Sequence, residues 1–181
     1  EGWQFLLLVA PLALMTLGLW RRPGLLAWPR AEVFDGYRVG WFALALPLLV
    51  LAVVLGLFME GSAAPLVYVP VLNPLELAWL AITALLFAYA GNMEGVTGGL
   101  RRLWPFVGFA FVTMATLRGV HHGHGEPWGM GVLQSGFSQA SLAVVWSLIG
   151  VGGMLLGSRR GNRPLWIGGM VLMLVVCAKL V

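Results

Sequence analysis

The feature that most constrains this chain is where its charges are missing. Only 10% of its 181 residues are Asp, Glu, Lys or Arg, against about 25% in a soluble domain. Stretches such as WFALALPLLVLAVVLGLFM, residues 41–59, carry none. Mean hydropathy is +0.89. A bilayer core about 30 Å thick asks for about 20 apolar residues per helical crossing. A helix pairs its own backbone polar groups, so it is the default spanning element. The strands of a membrane barrel would alternate apolar and polar residues, and these stretches do not alternate. The expectation is an all-α integral membrane bundle of about six transmembrane helices, read as a single transmembrane helical region over residues 1–181. The predicted spans are Trp3–Trp20, Val39–Met59, Leu75–Ala90, Leu103–Leu117, Ser138–Gly157 and Leu165–Val181.

The cations sort by loop. The first gap holds Arg21, Arg22, Arg30 and Arg38, the third Arg101 and Arg102, the fifth Arg159, Arg160 and Arg163. The second gap, 60–74, holds none, and the fourth holds Arg118 alone, with Lys179 inside the last span. Basic residues collect on the cytoplasmic side of short loops. The loops at 21–38, 91–102 and 158–164 are therefore expected to be cytoplasmic, those at 60–74 and 118–137 extracytoplasmic. A net charge of +4 is then a topology signal, and no nucleic-acid partner is implied. Trp28, Phe34 and Tyr37 interleave with Arg30, Glu32, Asp35 and Arg38 in the first gap. A loop with interfacial anchors is the favoured reading there, ahead of a short interfacial helix. LWRRPGLL, LRRLWPF and SRRGNRPLW share a basic pair and an aromatic anchor, as each cytoplasmic turn demands. Cys177 is alone and forms no intrachain disulfide. No basic leader precedes the first span, which is not read as a signal peptide. Both ends are abrupt, so the chain reads as a fragment of a larger polytopic protein.

Three places could hold chemistry. In RGVHHGHGEPWGMG, residues 118–131, three imidazoles (His121, His122, His124) and Glu126 fall within six residues and could ligate zinc or another transition metal. The spacing is a poor match: there is no HExxH, Gly123, Gly125 and Pro127 are expected to break any presenting helix, and Arg118 would oppose a divalent ion. Alternatively, if the fourth helix runs to His122, Arg118 lies one turn below His121 and His122. That donor-rich patch suits a phosphate or carboxylate, or acid–base work by the histidines. The plainest reading makes Arg118 a complement to the helix C-terminus and the histidines solvated loop residues. Lys179 lies about fourteen residues, roughly 21 Å, into the last span; it either snorkels outward or marks a functional charge. Asn73, Pro74 and Glu76 fit the N-cap, N1 and N3 positions of the third helix. Glu76 is also an acid on the face where Arg118 and Lys179 are the cations. Gly153–Gly157 spacing reads as helix packing. No Walker A, dinucleotide-binding GxGxxG or CxxC pattern is present.

VLNPLEL, LRGVHH, SQASLAVVWSL, RRGNRPLWIGG and the terminal AKL, taken in order, resemble the domain of unknown function 2339 family, large many-spanning bacterial membrane proteins. The likeness runs from about Tyr68 to the end, while the first two spans fit by hydropathy alone. It implies a place near the C-terminal part of a longer chain in the bacterial inner membrane. It also implies an acidic residue following the lysine in relatives. Asn73, Pro74, Glu76, Arg118, His121, His122 and Lys179 match the family's motifs. Where relatives often place an aromatic residue after the paired histidines, Gly123 and His124 stand here. The family carries no established activity.

The leading expectation is therefore an inner-membrane component whose outward polar patch (Arg118, His121, His122, Glu76, Lys179) binds an anionic or lipid-linked envelope molecule. Its partners would be membrane lipids, other membrane subunits and the rest of its own chain. A membrane enzyme with a His-rich site, a transporter and a structural scaffold are the rivals. The spans are nearly free of acids and amides, which argues against ion coupling within them.

Overall fold

The computed structural model describes residues 1–27, 33–93 and 97–180. Trp28, Arg30 and Glu32 of the first gap, and Val181 at the end of the last predicted span, lie outside the described residues. The elements are α1 (Gly2–Arg21), α2 (Pro23–Leu26), α3 (Phe34–Phe58), α4 (Pro74–Ala90), α5 (Thr97–His124), α6 (Met130–Gln134), α7 (Gly136–Arg159) and α8 (Arg163–Leu180). Among the described residues there is no strand. Over its described residues each of the six predicted stretches falls on a helix, Met59 at the end of the second excepted. Four helices among the described residues are long and apolar enough to cross a membrane: α1, α3, the 102–124 part of α5, and α7; α4 is a shorter apolar helix of 17 residues. In the first gap the chain forms the short α2, and Phe34, Asp35, Tyr37 and Arg38 already belong to α3.

The outer faces of these helices are apolar as well as the inner ones. Leu8 is 77% exposed, Leu148 69% and Phe58 67%. Water penalises faces of this kind at about 25 cal/mol per Å², whereas lipid tails solvate them.

The chain divides into two compact units, Glu1–Ala115 and Thr116–Val181, with the division inside α5. In the first unit the core is Phe5 and Val9 of α1, Leu49 of α3, and Leu75, Ala78, Ile82 and Leu85 of α4. The shortest of these helices is thus the central one. Indole N–H groups tie the three together. Trp79 Nε1 donates to the Val53 carbonyl (2.7 Å) and Trp41 Nε1 to Thr16 Oγ1 (3.1 Å), while Thr16 Oγ1 donates to the Leu12 carbonyl (2.7 Å). The first half of α5 joins by aromatic stacking, Phe111 on Trp79 and Trp104 on Phe87. The start of α1 is held by the segment after α3: Gly2 N–H donates to Ser62 O (3.0 Å) and Trp3 Nε1 to Ala63 O (3.2 Å).

The second unit is organised by the α7–α8 hairpin, which packs backbone against backbone. A Cβ at Gly157 would lie 2.6 Å from Trp166 N, and one at Gly169 2.5 Å from Gly150 O. Small residues let apolar helices approach until van der Waals contact is dense, and this drives association where no hydrophobic effect operates between helices. The turn closes with Asn162 N donating to Gly157 O (2.8 Å) and Gly161 N to Ser158 O (3.3 Å). Gly161 has φ +60. This is a Schellman stop, in which the left-handed residue is glycine because a Cβ there is strained. Asn162 Oδ1 then accepts from Leu165 N (3.2 Å) and opens α8. The RRGN segment therefore ends one helix and begins the next.

Candidate functional site

At the start of the second unit, α5 runs past Arg118 to His124. Gly123 does not break it, contrary to the sequence expectation. A glycine within a helix costs only about 1 kcal/mol, less than the backbone bonds that ending the helix would forfeit. The stop comes at Gly125, which takes φ +71 and donates its N–H to the His121 carbonyl (2.9 Å). The predicted 118–137 loop is accordingly short: Gly125–Gly129, the single turn of α6, and Ser135 before α7.

Arg118 is 1% exposed and heads the fully buried side chains by size. His121 and His122, one turn further on, are half-buried with their rings 4.6 Å apart, edge on. His121 Nδ1 lies 2.5 Å from the Glu126 carbonyl oxygen. A carbonyl only accepts, so Nδ1 carries the proton and the lone pair of the neutral ring sits on Nε2. Trp128 packs edge-on against the same ring at 5.6 Å. The returning loop thus fixes both tautomer and orientation of His121.

The other two members of the predicted metal set turn elsewhere. The His124 ring packs against Phe137, tilted by 47° with 3.8 Å between centroids, and Glu126 Oε1 accepts from Ser135 Oγ (2.9 Å). Among the described residues no three His, Cys, Asp or Glu side chains are grouped to hold a metal ion. Lys179 is exposed on the last turn of α8, its Nζ 5.0 Å from the centroid of the Trp146 ring. Such a cation–π contact is worth about 0.5–1 kcal/mol at an exposed site.

Glu76 belongs to the first unit and is wholly buried. Asn73 caps α4, accepting from Glu76 N at 3.0 Å, with Pro74 at N1. The Glu76 carboxylate does not reach back to its N-cap. It accepts from Tyr68 Oη (3.0 Å) and from the Val71 backbone N–H, and Val71 is held at φ +71. The sequence placed Glu76 at N3 correctly; the structure adds that its carboxylate organises the 68–73 segment. A carboxylate is also favoured there by the positive end of the α4 dipole.

The sequence model of a family described as "predicted membrane protein (DUF2339)" matches residues 1–181. The chain belongs to this family. The match includes the first two long helices, so the likeness is not confined to the part after Tyr68. No curated protein and no solved structure matches the chain.

In this family member the hydroxyl groups at the start of α7 were missed by sequence reasoning. Ser135 stands at the N-cap of α7 but makes no side-chain cap; its hydroxyl goes to Glu126 instead. Ser138, at the third helical position, is fully buried and its Oγ has no partner among the described residues. The sequence signal was Ser-Gly-Phe-Ser at the head of an apolar span, two hydroxyls where an apolar residue would be cheaper. Trp128 and Tyr68 were equally missed as orienting groups, since an aromatic near a membrane interface has an ordinary role as an anchor.

Proposed function

We propose that this family member is a six-crossing region of a bacterial inner-membrane protein. In this reading α4 and α8 cross as well, the arginine-rich turns face the cytoplasm, and the α5–α7 end faces outward. That end binds an anionic group, a phosphate or carboxylate carried by an envelope molecule such as a polyprenyl-linked one. The observation that carries the reading is the buried guanidinium of Arg118 one helical turn from His121 and His122. A buried ionisable group in an apolar helix is costly and is a functional hypothesis by default. A guanidinium presents planar, paired donors suited to an oxyanion. The ring of His121, one turn on, is held in orientation by Glu126 O and Trp128.

A metal-dependent site has less support, because His124 and Glu126 are engaged with Phe137 and Ser135. A scaffold role predicts that every polar substitution acts through stability alone. The test is thermal stabilisation of the purified full-length protein by pyrophosphate and by a polyprenyl phosphate. Stabilisation by either that disappears in Arg118→Gln, with Glu126→Gln retaining it, supports the anion site. Equal stabilisation of wild type and Arg118→Gln would falsify it.

A further inference from the structure

The first unit carries a second feature, at the arginine-rich ends of its helices. A groove of about 390 Å³ opens between the ends of α1, α3 and α4, walled by Trp20, Val39, Phe42, Tyr89, Asn92 and Arg38. Its apolar floor is aromatic. Tyr89 meets Trp20 edge-on at 5.7 Å and Phe42 at 5.0 Å. Arg21 lies over the Trp20 ring, 4.3 Å from its centroid. The rim is polar and positive: Arg38 lines it and Arg21 covers its Trp20 wall, and Asp35 is the one acid among the described residues of α2 and the start of α3.

Arg38 is weakly engaged. Asp35 approaches to 3.6 Å across one helical turn and is 85% exposed. That distance is beyond a good hydrogen bond, and exposed pairs of this kind contribute about 0–1 kcal/mol. An oxyanion entering the groove would meet a guanidinium whose competing partner is solvated. Asn92 Nδ2 donates to Ala88 O (2.6 Å), which fixes the amide at the rim.

We propose that this groove binds the headgroup of an anionic phospholipid of the cytoplasmic leaflet. The phosphate sits on Arg38, within reach of the Tyr89 hydroxyl and Asn92 amide. The first acyl carbons run down Val39 and Phe42. Two properties select this occupant. A cationic rim joined to an apolar wall at the end of a helix bundle matches a molecule that is anionic at the head and apolar below. The basic-loop rule places this end in the cytoplasmic leaflet, whose surface is negative. A soluble phosphate would leave the apolar wall unused, and an apolar peptide would leave Arg38 uncompensated. The inference concerns the other unit and the other expected face from the Arg118 group, so either can fail without the other.

The experiment is native mass spectrometry of the full-length protein in detergent, titrated with phosphatidylglycerol, with phosphatidylethanolamine, or with inorganic phosphate as competitor. Phosphatidylglycerol should be retained in preference to phosphatidylethanolamine. Arg38→Gln should weaken its retention about fivefold, the effect of one cation near an anionic lipid surface. Arg163→Gln, on the basic turn of the second unit, should leave retention unchanged. Val39 is 66% exposed, so Val39→Trp should fold normally, fill the groove and abolish preferential retention even if Arg38→Gln is unstable. Equal retention of both lipids overturns the proposal, as does unchanged retention in Val39→Trp. Full displacement by inorganic phosphate would make the groove a soluble-anion site and overturn it equally.

Discussion

The two units each bury an ionisable side chain at a helix end expected to face outward, and they surround it differently. Tyr68, Val71 and Asn73, all within eight residues of it, bond to Glu76. Its carboxylate closes a local structure. Arg118 sits on a continuous helix below two histidines. The chain that follows α5 orients His121 and holds Glu126, and the Ser138 hydroxyl at the head of α7 is buried. Burial of a charge is thus compatible with two roles, a structural one for Glu76 and, as we propose, a binding one for Arg118.

The sharpest test of that contrast is Glu76→Ala. It removes the carboxylate that accepts from the Tyr68 hydroxyl and the Val71 N–H, a loss of about 3 kcal/mol at roughly 1.5–3 per hydrogen bond to a charged group. The melting temperature of the purified protein should fall and residues 60–73 should become protease-sensitive, with anion stabilisation of the surviving fold retained. If stability holds and anion stabilisation is lost, Glu76 belongs with Arg118 and the contrast collapses.

Gly169→Val should cost about 2 kcal/mol through overpacking, because its Cβ would meet Gly150 O at 2.5 Å and Met154 N at 2.8 Å. Gly168→Val, one residue away, has nothing within 4 Å and should melt near wild type. Equal melting of the two variants would mean that the second unit does not depend on backbone contact between α7 and α8.

For Arg118→Lys the expected change is in binding. The charge stays but the paired donors go, so affinity for a polyprenyl phosphate should fall about tenfold while the melting temperature without ligand changes little. A large drop in unliganded stability with affinity intact would return Arg118 to the structural class alongside Glu76.

Ser135→Ala should cost about 1 kcal/mol, the net worth of one hydrogen bond, and hydrogen exchange across residues 125–135 should rise. His124→Ala is expected to have the smallest effect, within about 0.5 kcal/mol as for other surface sites, with transition-metal content of the purified protein the same in variant and wild type. Near-stoichiometric metal that disappears in His124→Ala would revive the metal reading and separate the two units still further.

Sequence reasoning located the elements better than their ends. The fourth predicted span, Leu103–Leu117, is the middle of a helix running from Thr97 to His124. Hydropathy reports what a bilayer solvates, and a helix continues into its polar flanks as long as its backbone bonds are satisfied. The caps that could be read were those whose chemistry is local: Asn73-Pro74-Glu76 at the head of α4 is one, confirmed in the structure. The Gly153–Gly157 spacing was read as packing, and both glycines face α8. The partners of His124 and Glu126 were not readable. Phe137 and Ser135 sit across a turn whose path depends on Gly125 and Gly129, both at positive φ.

What the sequence determined by itself is the class of molecule and the rhythm of its helices. Both follow from the cost of charge in lipid, a property of each residue taken alone. What only the tertiary structure decided is which faces meet. α1, α3 and α4 are apolar around their whole circumference, so no periodic stripe marks an inward side. Shape, small residues and a few buried polar groups make that choice. Leu75 and Glu76 are buried to the same degree at the head of α4, and nothing in a hydropathy pattern distinguishes a leucine that faces lipid from one that faces a neighbour.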